Sequence, residues 1–120
     1  MDLSEEYRLM CTKAEEIQAL KESGMIMLTD RDYIDGENTW LPTQDQLQLL
    51  VIKKMQMLNI IFKDGVIICN LYNPKQIQPW PSFEQLWLVL VMLLNFKKYW
   101  DYKEHEWKEA KPKSNLILPN

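Results

Sequence analysis

The nearest approach to a metal-binding loop in this 120-residue chain is the acidic run Asp30-Arg31-Asp32-Tyr33-Ile34-Asp35-Gly36-Glu37. A calcium loop needs oxygen donors at alternating positions, a glycine at the sixth and a bidentate glutamate at the twelfth. Counted from Asp30, Ile34 stands where the third ligand belongs, Gly36 comes one residue late, and Leu41 occupies the twelfth position. The run therefore reads as an acidic, solvated loop that holds no metal. Its carboxylates Asp30, Asp32 and Asp35 are candidates for contact with a partner protein.

Nucleophilic chemistry is no better supplied. His105 is the only histidine and stands between Glu104 and Glu106, whereas Cys11 and Cys69 both fall in apolar patterns where a thiol is buried and inert. No Cys–His pair is expected. Gly24, Gly36 and Gly65 are each accounted for by a helix end or a turn, which leaves no glycine-rich loop to cradle a phosphate. The residues predict no enzyme and no cofactor.

Lys97, Lys98, Lys103, Lys108, Lys111 and Lys113 interleave with Tyr99, Trp100, Tyr102 and Trp107, the mixture used to stack bases and contact phosphates. Four acids between Asp101 and Glu109 cancel most of that field, so an accessory role on nucleic acid is the weakest of the readings. The net charge of −3 is not the basic footprint of a nucleic-acid binder. It is unevenly spread, with eleven acids against six bases in residues 1–58 and six against eight in residues 59–120.

The elements that must position these groups show clearest at two similar helix starts, Pro42-Thr43-Gln44-Asp45-Gln46 and Pro81-Ser82-Phe83-Glu84-Gln85. Thr43 and Ser82 serve as N-caps, Gln46 and Gln85 as the third helical residues of capping boxes, and Asp45 and Glu84 oppose the helix dipole. The likeness is read as recurring cap chemistry rather than as a duplicated unit. Leu3, Tyr7, Met10, Ala14, Ile17 and Leu20 predict an amphipathic first helix over residues 4–22, and Leu47, Leu50, Val51, Met55 and Leu58 a second over 44–57. The third runs from Phe83 to about Tyr99 and is apolar all round from Leu86 to Leu94. Nine apolar residues fall short of the roughly 20 of a membrane span, so this is a core helix.

Two hairpins complete the list of elements. Met25–Thr29 and Thr39–Leu41 predict the first, with an irregular acidic connection. Residues 59–71 predict the second, turning at Asp64-Gly65 between β-branched runs, with Ile67, Cys69 and Leu71 on the core face. The fold class is α+β in the order α-ββ-α-ββ-α: a small antiparallel sheet packed with three helices, sandwich-like. Residues 1–100 form one domain and 101–120 a charged, partly flexible tail. The cysteine spacing and the N-terminal residues suit a reducing cytoplasm.

Three separated blocks carry a resemblance. Tyr7, Met10-Cys11 and Lys13-Ala14-Glu15-Glu16-Ile17-Gln18 form the first, Trp40-Leu41-Pro42 with Gln44-Asp45-Gln46-Leu47-Gln48 the second. Ser82 with Glu84-Gln85-Leu86-Trp87-Leu88, followed by Trp100-Asp101, is the third. Together they resemble a family of small phage and prophage proteins of Gram-positive and related bacteria. The resemblance implies a bacterial host cell and an α/β sandwich, and it transfers no activity to any residue.

The expected function is a non-enzymatic, phage-encoded protein that binds a host or phage protein, in the sharpest version inhibiting a host defence system in the anti-CRISPR manner. The alternative is a small-ligand or nucleotide-binding module, a sponge for a defence signal. The all-round apolar third helix predicts a partner or a second copy of the chain to cover it, with Trp100 and Trp107 at the rim of the contact.

Overall fold

The computed structural model describes residues 1–24, 28, 32–36, 38–58, 61–63, 66–68, 72–73 and 82–112. Ser4 opens the first helix, its hydroxyl accepting from the Tyr7 N–H at 3.2 Å while its own N–H donates to Asp2 Oδ1 at 2.9 Å. The expected single helix is two: α1 (Glu5–Lys13) and α2 (Glu15–Glu22), separated at Ala14 (φ −83, ψ 74). Alanine is the best helix former, so the break has a tertiary cause. It frees the Cys11 carbonyl, which takes hydrogen bonds from the Ala14 N–H and, at 3.1 Å, from Gln18 Nε2.

The first hairpin pairs β1 (Tyr33–Asp35) with β2 (Thr39–Leu41) in antiparallel register, Ile34 opposite Trp40. The partner described for Thr39–Leu41 is thus β1, where the run Met25–Thr29 was expected. The partner strand lies inside the run read as a loop, because Gly36 (φ 61) turns the chain directly after Asp35. Met25–Met27, Thr29 and Asp30 lie outside the described residues.

Helix α3 (Gln44–Leu58) follows, then β3 (Ile61–Lys63) and β4 (Val66–Ile68), antiparallel with Lys63 opposite Val66, while Asp64-Gly65 between them lies outside the described residues. The placement of Cys69 and Leu71 lies outside the described residues. A further ladder joins β5 (Tyr72–Asn73) to β8 (Lys111–Pro112). The class is α+β, but the described strands form four two-stranded ladders instead of one sheet.

Helix α4 (Phe83–Phe96) is the centre of the core, and Leu86 to Leu94 are each no more than 7 % exposed. Its neighbours α3, α1, β4 and β6 belong to the same chain. The expectation that a partner must cover this helix is thereby corrected, since leucine side chains contributing about 2 kcal/mol each are already out of water. No helix among the described residues is long and apolar enough to cross a membrane.

The predicted end of this helix is also revised. Lys97 adopts a left-handed conformation (φ 58, ψ 43) as its C-cap, its N–H bonding to the Leu93 carbonyl, and the chain leaves as β6 (Lys98–Asp101). Its antiparallel partner is β7 (Glu106–Glu109), so the charged stretch beyond Trp100 folds back on the domain where a free tail was expected. Residues 113–120 lie outside the described residues.

Candidate functional site

The aromatic candidates are turned inward. Trp100 and Trp107 sit opposite each other across β6 and β7, edge to face with ring centroids 5.0 Å apart, and Trp100 is 3 % exposed. Trp100 Nε1 donates to Glu6 Oε1 at 2.8 Å and Trp107 Nε1 to the Met10 carbonyl at 3.0 Å, so both indoles bind the hairpin to α1. Paired rings and satisfied N–H groups are the marks of packing, and this corrects their placement at the rim of a contact surface.

The chemistry weighed from the sequence is dispersed in the same way. His105 Nδ1 lies 3.3 Å from Glu6 Oε2, and its carbonyl accepts from Lys13 Nζ at 2.6 Å. Cys11 is fully buried, and burial pushes its thiol well above the ordinary value, so it stays protonated and unreactive. Lys108 is held by Asp101 at 3.0 Å and Glu104 at 2.7 Å, and Lys98 by Glu16 at 2.5 Å. Those ammonium groups are neutralised within the fold. Among the described residues no group of three or more His, Cys, Asp or Glu side chains could hold a metal ion.

A recess of about 360 Å³ opens where α1 and α4 begin, lined by Met1, Asp2, Leu3, Ser4, Ser82, Glu84 and Gln85. Its charged groups are the carboxylates of Asp2 and Glu84 and the α-ammonium of Met1, and Asp2 is already engaged by Ser4, Ser82 and Gln85.

The first hairpin carries the remaining candidates. Asp32, just before β1, accepts from Gln46 Nε2 at 2.5 Å, which ties the strand to the first turn of α3. Asp35 faces Arg8 of α1 at 3.8 Å, a loose pair with side chains 33 % and 44 % exposed. Between them Tyr33 and Ile34 are 42 % and 43 % exposed, two large apolar side chains on opposite faces of the strand. Across the ladder Trp40 and Leu41 are buried, so β2 is the inner strand of the hairpin and β1 the outer one.

The Gln18 side chain decides how β2 is fixed. Its Nε2 donates to the Trp40 carbonyl at 2.8 Å and its Oε1 accepts from the Trp40 N–H at 2.8 Å, a two-bond clasp between α2 and the strand. Sequence reasoning missed Tyr33 and Ile34 as surface residues and Gln18 as a clasp. The signal for the former was present, two apolar residues inside an acidic run. The latter joins positions 22 residues apart and leaves no local pattern.

The chain matches no known protein family, no curated protein and no solved structure.

Proposed function

We propose that this protein acts by binding another protein, without catalysis, in the cytoplasm of a bacterial host, and that its contact surface is the β1 side of the first hairpin. The observation that carries the reading is the pair Tyr33 and Ile34, exposed on a strand and flanked by Asp32 and Asp35. Large apolar groups held in water beside a charged border suit a protein interface. The resemblance to phage proteins supports a partner in the host or in the phage itself, with a defence nuclease as the sharpest case. Occlusion would then suffice for inhibition.

The test is affinity capture from the host cytoplasm with the full chain and with the Tyr33→Ser/Ile34→Ser double variant, followed by mass spectrometry and by an activity assay of the captured protein. A protein held by the first and released by the second, and inhibited on binding, is the expected result. Equal capture by both would move the contact elsewhere on the molecule.

A further inference from the structure

The direction of the main-chain groups along the first hairpin can be worked out from its clasp. In an antiparallel ladder, opposite residues alternate between pairs that exchange both main-chain hydrogen bonds and pairs whose N–H and C=O groups point away from each other. Trp40 turns both groups toward Gln18, so Trp40 and its partner Ile34 are a pair of the second kind. The N–H and C=O of Ile34 therefore point outward from β1. Neither has a hydrogen-bond partner among the described residues. One edge of the hairpin is closed by a side-chain amide, and the other is unpaired among the described residues.

Resting on the interaction reading above, we infer that β1 binds its partner by strand addition: an extended segment of another protein, apolar at its centre and bearing lysine or arginine on its flanks, pairs with the outward groups of Ile34. Gln18 shows on the far edge what this geometry accepts, an amide donor and a carbonyl acceptor in one plane. Extended peptides supply the same two groups and commonly dock on open edges. The charge of the seam selects among them. Its described charged side chains are the carboxylates of Asp32 and Asp35. A second copy pairing antiparallel about Ile34 would set Asp32 against Gly36 and Asp35 against Tyr33, which brings two carboxylates from each chain into one short seam of the same sign. A cationic strand meets opposite charge at the same places.

The experiment follows the Ile34 amide by NMR in the full chain. The probe is a synthetic heptapeptide of alternating valine and threonine flanked by lysines, compared with the same peptide flanked by glutamates. In the free protein the Ile34 N–H exchanges rapidly, and saturation with the lysine peptide slows it by about tenfold or more. The glutamate peptide binds at least about tenfold more weakly. Ile34→Pro removes the outward donor without touching a bond to β2, a place where proline is tolerated, and abolishes binding. Ile34→Thr keeps the donor and keeps binding. Should the proline variant fail to fold, Asp32→Lys/Asp35→Lys reverses the preference between the two peptides.

An Ile34 amide already protected in the free protein, equal binding of the two peptides, or undiminished binding by a folded Ile34→Pro variant would overturn strand addition. The wider reading fails separately. A host partner inhibited equally by wild type and Ile34→Pro leaves the interaction standing and removes its mode, whereas a chain that captures no protein removes the interaction itself.

Discussion

Asp2 accepts a hydrogen bond from the Ser82 hydroxyl at 2.5 Å, which joins the first residues of the chain to the N-cap of its central helix. The same carboxylate oxygen takes the amide of Gln85 at 3.0 Å, and Gln85 in turn accepts from the Tyr102 hydroxyl at 2.6 Å. One carboxylate thus links α1, α4 and the turn after β6 through side chains that are largely out of water.

Asp2→Ala is expected to destabilise the fold by about 2 kcal/mol, because the Ser82 hydroxyl and the Gln85 amide, in a residue only 1 % exposed, lose a charged acceptor. Burial alone would raise the Asp2 carboxyl, but its bonds from Ser4, Ser82 and Gln85 outweigh that and hold it below the usual range. A carboxyl lowered by folding stabilises fully above its unfolded value and loses that contribution as pH falls through the folded one. Urea titrations of wild type and variant should differ at neutral pH and converge in strong acid.

The two similar helix starts should respond differently. At α3 the box is reciprocal, with the Thr43 N–H donating to Gln46 Oε1 at 2.9 Å and the Gln46 N–H to Thr43 Oγ1 at 3.3 Å. Thr43→Ala is expected to cost about 1 kcal/mol. At α4 the Gln85 N–H donates to Ser82 Oγ at 3.1 Å, but the Gln85 side chain turns away to Asp2 and Tyr102. Ser82→Ala removes both the cap and a donor to Asp2, and should cost about 2 kcal/mol. Equal effects in denaturant melts would contradict this difference.

Lys97→Gly should stabilise the protein by about 1 kcal/mol, since a left-handed residue at a helix end is strained for lysine and free for glycine. His105 is also left-handed (φ 53), but His105→Gly gives up the contact with Glu6, so its gain should be smaller. Thermal unfolding followed by circular dichroism ranks the two.

Glu6→Ala leaves the N–H of a 3 %-exposed Trp100 without its acceptor and is expected to cost about 2 kcal/mol. Glu6→Gln keeps an oxygen for Trp100 and loses only the pairing with a half-exposed His105, so it should cost under about 1 kcal/mol. Tryptophan emission during urea unfolding reads both variants.

These comparisons divide along what a sequence makes legible. The Thr43 and Ser82 caps act over three residues, and β3 pairs with β4 only three positions on, so residue types at short spacing were enough. The Asp2–Ser82 and Glu6–Trp100 bonds join positions 80 and 94 residues apart, and only the folded chain brings them together. Ala14 hid the helix break because its own propensity favours continuity. Tyr99 and Trp100 suit a helix or a strand, and the cross-strand contact with Trp107 decided for the strand. At the candidate site, Asp32 and Asp35 were legible as an acidic border. The strand between them was not, because a half-exposed edge strand lacks the alternation that marks a buried one.

The Gln18 clasp also sets a valence. A strand pair with two open edges is a bifunctional monomer in the polymer chemist's sense, since each unit added leaves a new end and growth has no natural stop. Gln18 occupies one of those ends from within the molecule, so the hairpin is monofunctional. Strand pairing is thereby confined to the β1 side of the hairpin, and a single side-chain amide keeps the molecule from serving as a two-ended link.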